Sequence, residues 1–64
     1  METYKVVDDS THTVLREGIF NAWEYAYNVI KETNSMEIYI EVFEDGSFSH
    51  WVDSESIVTD YERR

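Results

Sequence analysis

The sequence predicts an α+β domain in the order β-α-β-β, with one helix laid across one face of a small three- to four-stranded sheet. Three observations predict it. Apolar and polar residues alternate from Met36 to Phe43; Leu15, Ile19, Ala22, Ala26 and Val29 recur at steps of three and four; and Glu44-Asp45-Gly46-Ser47 follows the alternating run as a hairpin turn. With 64 residues there is room for one thin core, so residues 1–64 are read as a single acidic domain.

The first strand is read over Thr3 to Asp8, short and rich in β-formers around Tyr4, Val6 and Val7, and Asp8-Asp9-Ser10 breaks it. A helix is predicted from Thr11 to near Glu32, with Ser10 or Thr11 as N-cap and Trp23 and Ile30 flanking the apolar stripe. Gly18 then falls inside the helix, where close approach to the sheet would account for it. Thr33-Asn34-Ser35 supplies the stop, because Asn tolerates the left-handed conformation at a helix C-terminus. Met36, Ile38, Ile40 and Val42 line one face of the next strand, and Glu37, Tyr39, Glu41 and Phe43 the other.

Phe48 to Asp53 returns as the antiparallel partner, with the register open. A three-residue loop with Gly46 left-handed sets Phe48, His50 and Val52 beside the isoleucines; a two-residue loop sets Ser49 and Trp51 there. Ile57, Val58 and Tyr61 form either a short fourth strand or an irregular tail, and Arg63-Arg64 is expected to be mobile. If the first two strands are parallel, the helix makes a right-handed crossover between them. In either register the face away from the helix keeps Tyr39 and Phe43, joined by Trp51 or by Phe48 and Val52. One helix cannot cover both faces, so an apolar patch rimmed by acids is predicted there.

Charge is the strongest compositional signal: fourteen acids against five Lys and Arg, a net of −9. The acids at 32, 37, 41, 44, 45, 53, 55, 60 and 62 lie in a stretch, Glu32 to Glu62, without a single Lys or Arg. Such a surface repels nucleic acid and acidic membranes and steers basic partners toward itself. No Cys is present, so neither a disulfide framework nor a thiolate zinc site reinforces the core. The N-terminal residues carry no basic and apolar leader pattern and no apolar run is long enough to span a bilayer, which predicts a soluble, cytoplasmic protein without membrane contact.

Catalytic and metal-binding patterns are weak. Asp8-Asp9 near His12 reads as acids before a helix N-terminus, since neither the spaced oxygen ligands of a calcium loop nor four zinc ligands are present. His50 and Glu41 could form an acid-base pair in one register, yet no Cys nucleophile or glycine-rich phosphate cradle accompanies them. No catalytic residue, metal or cofactor is assigned. On the helix, Trp23 reads as core, while Tyr25 on the exposed side and Tyr27 on the shoulder are available to a partner.

A compact domain of this length has a radius of gyration of about 11 Å and a diameter of about 28 Å, over which B-DNA carries about 16 charges, about 8 on one side. The net charge has that size. Glu37 and Glu41 project to one side about 13 Å apart on an extended strand. In size, lack of Cys and Pro, acidic second half and β-α-β-β order, the chain resembles the small acidic host-takeover proteins of bacteriophages. These include DNA mimics that block histone-like nucleoid proteins and short inhibitors of RNA polymerase or defence nucleases. The resemblance implies a stoichiometric inhibitor, a homodimer, acting in a bacterial host on a basic DNA-binding protein. The residues that would engage Lys and Arg are Glu37, Glu41, Glu44, Asp45, Asp53 and Glu55, with Tyr39, Phe43 and Trp51 as the apolar interface. The alternative is an interaction or assembly domain that docks through the aromatic sheet face, its acidity serving only solubility.

Overall fold

The computed structural model describes residues 1–63, and Arg64, expected above to be mobile, lies outside them. The β-rich run at the N-terminus forms β1, Glu2–Asp8, and the alternating run forms β3, Ile38–Glu44. They pair antiparallel, Val6 opposite Ile40 and Val7 opposite Tyr39, and Asp9 N–H donates to the Glu37 carbonyl beyond the strand ends at 3.0 Å. The fold class is α+β, as the sequence predicts, but the element order is β-β-α-β-β-α.

The first half of the predicted helix is a strand. β2, Thr13–Gly18, follows β1 through a turn in which Asp8 Oδ1 accepts from Ser10 N–H at 3.0 Å and from its hydroxyl at 2.6 Å, and His12 takes φ 55°. The register slips between Val6 and Val7, so that Val14 pairs with Val7, Arg16 with Val6, and Leu15 is the extra residue of a bulge. That bulge removes the two-residue alternation by which strands are recognised and leaves Leu15, Ile19 and Ala22 at helical spacing. Gly18 is not a helix-interior glycine; it ends β2 at φ +123°. The strands on either side of the predicted helix, β1 and β3, pair antiparallel, so no right-handed crossover joins them.

Helix α1 is Ala22–Thr33. Its N-cap is Asn21, not Ser10 or Thr11: Asn21 Oδ1 accepts from Glu24 N–H at 3.3 Å and its amide donates back to Glu24 Oε2 at 3.2 Å. Asn34 at φ 56° ends it, the left-handed stop anticipated for this residue. Ala22, Ala26 and Ile30 are its buried positions, with Trp23 and Val29 half-buried beside them.

The hairpin from β3 to β4, Ser47–Val52, answers neither predicted register fully. Glu44 pairs with Ser47 across a two-residue turn in which Asp45 and Gly46 both have positive φ, 50° and 85°, the mirror-image turn that suits strand twist. Phe48 accordingly pairs with Phe43; a bulge at Ser49 then restores the other parity, giving Val42 opposite His50, Glu41 opposite Trp51 and Ile40 opposite Val52. His50 and Val52 thus belong to the helix side, while Phe48 and Trp51 both belong to the opposite side.

The residues left as a strand or a tail form a second helix, α2, Ser54–Glu62. Asp53 caps it, its carboxylate accepting from Ser56 N–H at 2.8 Å, which holds the acid below its ordinary 3.8. Ser54, buried, donates its hydroxyl to the Met36 carbonyl at 2.8 Å and fastens the helix start to the approach to β3. Tyr61 stacks on Tyr27 at 4.3 Å, and Tyr27 donates to Glu62 at 3.0 Å. Arg63 is held too, its backbone N–H donating to the Thr59 carbonyl at 3.2 Å.

The sheet order is β2-β1-β3-β4, antiparallel throughout. Val6, Ile38, Ile40, Val42 and Val52 from one face meet Ala22, Ala26 and Ile30 of α1 and Ile57 of α2 in a single core. Both helices therefore lie on the same side. Tyr25 and Tyr27, read as available to a partner, are engaged: Tyr25 meets Phe20 edge-on at 5.8 Å beneath Arg16, and Tyr27 stacks on α2.

Candidate interaction surface

Strand parity assigns the uncovered face. β1 contributes Thr3, Lys5 and Val7; β3 contributes Tyr39, Glu41 and Phe43; β2 contributes Val14 and Glu17; and β4 contributes Phe48 and Trp51. Phe43 and Phe48 meet edge-on at 5.8 Å, and Phe48 meets Trp51 at 5.4 Å, which makes a continuous aromatic ridge across two strands. Trp51 is 66% exposed and Phe48 48% exposed. Large aromatics at that exposure cannot be attributed to core packing. Val7, by contrast, is buried between Val14 and Tyr39 and gives the same face a small apolar floor.

Carboxylates surround the ridge. Lys5 sits over the Phe43 ring at 5.2 Å, beside Glu17 at 3.8 Å and opposite Glu41, so the cation of this face is already matched by two acids. At the Trp51 end, an open groove of about 460 Å³ is walled by Trp51, Tyr39, Met36 and Ile38 and carries the carboxylates of Asp9, Glu37 and Asp53 at its margin. Tyr39 is held above its usual phenol value, first by desolvation and then by the negative charge of Glu41 and Asp9. An added cation would meet both an aromatic wall and uncompensated negative charge here.

The six predicted carboxylates do not form one cluster. Glu37 and Glu41 share the uncovered face, and Asp53 joins Glu37 at the groove. Glu44 closes the far end of β3 with the helix-side parity, and Asp45, in the turn, is paired with the N-terminal amine. Glu55 is exposed in the first turn of α2. Of the three predicted aromatics, all lie on the uncovered face, and Phe48 is added to them while Val52 is withdrawn to the core.

Sequence reasoning missed Asp9, Glu17 and the simultaneous outward placement of Phe48 and Trp51. Asp9, which the sequence places before a helix start, lies in a hairpin turn, 3.9 Å from His12. The imagined His50 and Glu41 pair is not formed: His50 is opposite Val42, with Nδ1 2.9 Å from Ser49 Oγ, whereas Glu41 is opposite Trp51. Among the described residues no three His, Asp or Glu side chains gather as a metal site, and no helix is long and apolar enough to cross a membrane. Compared with protein-family models, curated proteins and solved structures, the chain matches none.

Proposed function

We propose that this chain is a stoichiometric binding protein that docks on a basic macromolecular partner through the uncovered face of its sheet. The observation that carries the reading is the ridge of Phe43, Phe48 and Trp51, exposed on a face that neither helix covers and bordered by Glu17, Glu37, Glu41, Asp9 and Asp53. Aromatic anchors supply area and fixed orientation, while the carboxylates accelerate encounter with a positive surface and disfavour negative ones. In kind this is the behaviour of the acidic phage inhibitors that the sequence resembles, and the partner class it favours is a DNA-binding protein.

The test is capture from a bacterial lysate, with and without nuclease, using the parent and two variants. Phe48→Ser with Trp51→Ser should lose the partner while keeping the parent's circular dichroism; so should charge reversal by Glu37→Lys with Glu41→Lys. Retention of the same partner by the aromatic variant refutes the reading.

A second reading, in which carboxylates stand in for DNA phosphates, is favoured by one dimension. The molecule is a slab of 31 × 29 × 16 Å, and B-DNA of that length carries about 18 charges, about 9 facing one side, against a net of −9. Ionic strength separates the two. Affinity for the partner that collapses between low and high salt, together with competition against DNA that Glu37→Lys, Glu41→Lys and Asp53→Lys abolish, favours mimicry; affinity that survives salt and depends on Trp51 favours the aromatic face.

A further inference from the structure

The two edges of the sheet are built differently. β2 carries Arg16 and Glu17, is kinked by the bulge at Leu15 and stops at Gly18. β4 contains no Asp, Glu, Lys, Arg or Pro, and its first five residues, Ser47 to Trp51, are all exposed. A terminal strand presents unpaired N–H and C=O groups, and proteins ordinarily guard such an edge with charge, Pro or a bulge. On β4 the guard is the single bulge at Ser49.

Charge stands at both ends of the strand instead: Glu44, opposite Ser47 on β3, with Asp45 in the turn, already paired with the N-terminal amine, and Asp53 and Glu55 after it. We propose that β4 is a strand-addition site that takes an extended segment of a basic partner, uncharged in its middle and flanked by Lys or Arg. The inference rests on the reading of the chain as a binder of a basic partner and specifies how that partner is held. Main-chain hydrogen bonds would supply the attachment, and the alternate side chains of the added strand would choose the partner. A cationic side chain projecting beside Trp51 would enter the groove bordered by Asp9, Glu37 and Asp53.

The same charges decide against a second copy as the occupant. Two-fold antiparallel pairing that sets Ser47 opposite the other copy's Val52 brings the turn that holds Asp45 beside the other copy's Asp53, so each end of the joined strands would place an acid against an acid. Each copy also carries a net −9. A segment with cations at both ends meets the opposite condition.

The experiment uses the full chain, isotopically labelled, with the peptide Lys-Arg-Thr-Val-Thr-Val-Thr-Arg-Lys and a counterpart bearing Glu at the four basic positions. The basic peptide should saturate the protein and slow exchange of a subset of β4 amides by at least about tenfold, because edge groups open to water become paired. Its affinity should weaken at least about tenfold from 50 to 500 mM salt, and the acidic peptide should not bind. Ser49→Lys, on the exposed bulge, should abolish binding of the basic peptide, and Ser49→Glu should preserve it. Shifts confined to the Phe43 and Phe48 rings without β4 protection overturn strand addition yet leave the face-docking reading standing. Equal binding of both peptides, absence of binding by the basic one, or β4 protection that grows with protein concentration alone also overturns it, the last assigning the edge to a second copy.

Discussion

Replacing Ile57 by Ala deletes three carbons from a side chain that is 0% exposed, at the point where α2 meets α1 and β3. The transfer term alone is about 2.4 kcal/mol at about 0.8 kcal/mol per methylene, and the residual cavity raises the cost to about 3 kcal/mol or more. A domain of this length has a total stability of about 3–10 kcal/mol, so the substitution removes about three-tenths of it or more. Urea unfolding followed by both far-ultraviolet circular dichroism and tryptophan fluorescence measures this. Trp23, half-buried on α1, reports on the core, while circular dichroism reports on both helices. At about 1 kcal/mol per molar urea, the slope for a small domain, the midpoint should fall by about 3 M, or the variant should be unfolded without denaturant. Val58→Ala, on a half-buried position of the same helix, should cost about 1 kcal/mol and fold. Loss of helical signal with an unchanged fluorescence midpoint in Ile57→Ala would show that α2 is an appendage and refute its place in the cooperative core.

Three further outcomes follow from the geometry. Because the folded Asp53 carboxyl is held below its ordinary 3.8, the stability it contributes is complete above that value and is lost as pH falls through the lower folded value. Asp53→Asn keeps a capping oxygen without the titration, so its melting temperature should fall less steeply below about pH 4 than the parent's, and identical slopes would refute the role. Deleting Ser49 should leave the pairings of Phe43 with Phe48 and of Glu41 with Trp51 intact, since Ser49 is the surplus residue, and should increase self-association by flattening the edge. Nuclear Overhauser contacts between Phe48 and Trp51 check the first part, sedimentation the second, and a fold that does not survive the deletion contradicts the register. Gly46→Ala, at φ +85° with open space around the added carbon, should cost about 1–2 kcal/mol through backbone strain alone, measured by the same urea titration.

How far the sequence carries depends on whether one period dominates locally. Met36 to Phe43 alternates without interruption and Asp45-Gly46 admits positive φ at both positions, so β3 and the place of the turn are legible, while the register of β4 is not, because the bulge at Ser49 shifts it. Thr13 to Gly18 is not, because the bulge at Leu15 erases the alternation and leaves a helical spacing that runs into the true helix. α2 fails for the opposite reason. Its Ile57-Val58-Thr59 run consists of β-branched residues that favour strands, and the signals that outweigh them, the Asp53 cap and the core pocket for Ile57, are tertiary or depend on knowing where the preceding strand stops. The uncovered face was predicted from the shortage of helix to cover it, yet two helices form and the face stays uncovered. Both pack on the side where Val6, Ile38, Ile40 and Val42 offer the continuous apolar surface. A second bulge, at Ser49, places Phe48 and Trp51 on the outer face together, whereas an unbroken strand would allow only one of them.

The acids have a cost to the free protein that a partner would remove. The ion pairs Lys5–Glu17 and Lys31–Glu62 are solvent-exposed and contribute little, while the net −9 on a slab 16 Å thick works against compaction. A thin core with nine buried apolar residues among the described ones has little reserve against that self-repulsion. Solubility alone does not require Trp51 and Phe48 to stand exposed among the carboxylates, since an aromatic ridge works against solubility. On the proposed interface the two features would serve one purpose: carboxylates would select and orient a cationic surface, the ridge would give it an apolar seat, and the partner's charge would relieve the repulsion that the small core has to withstand when the protein is alone.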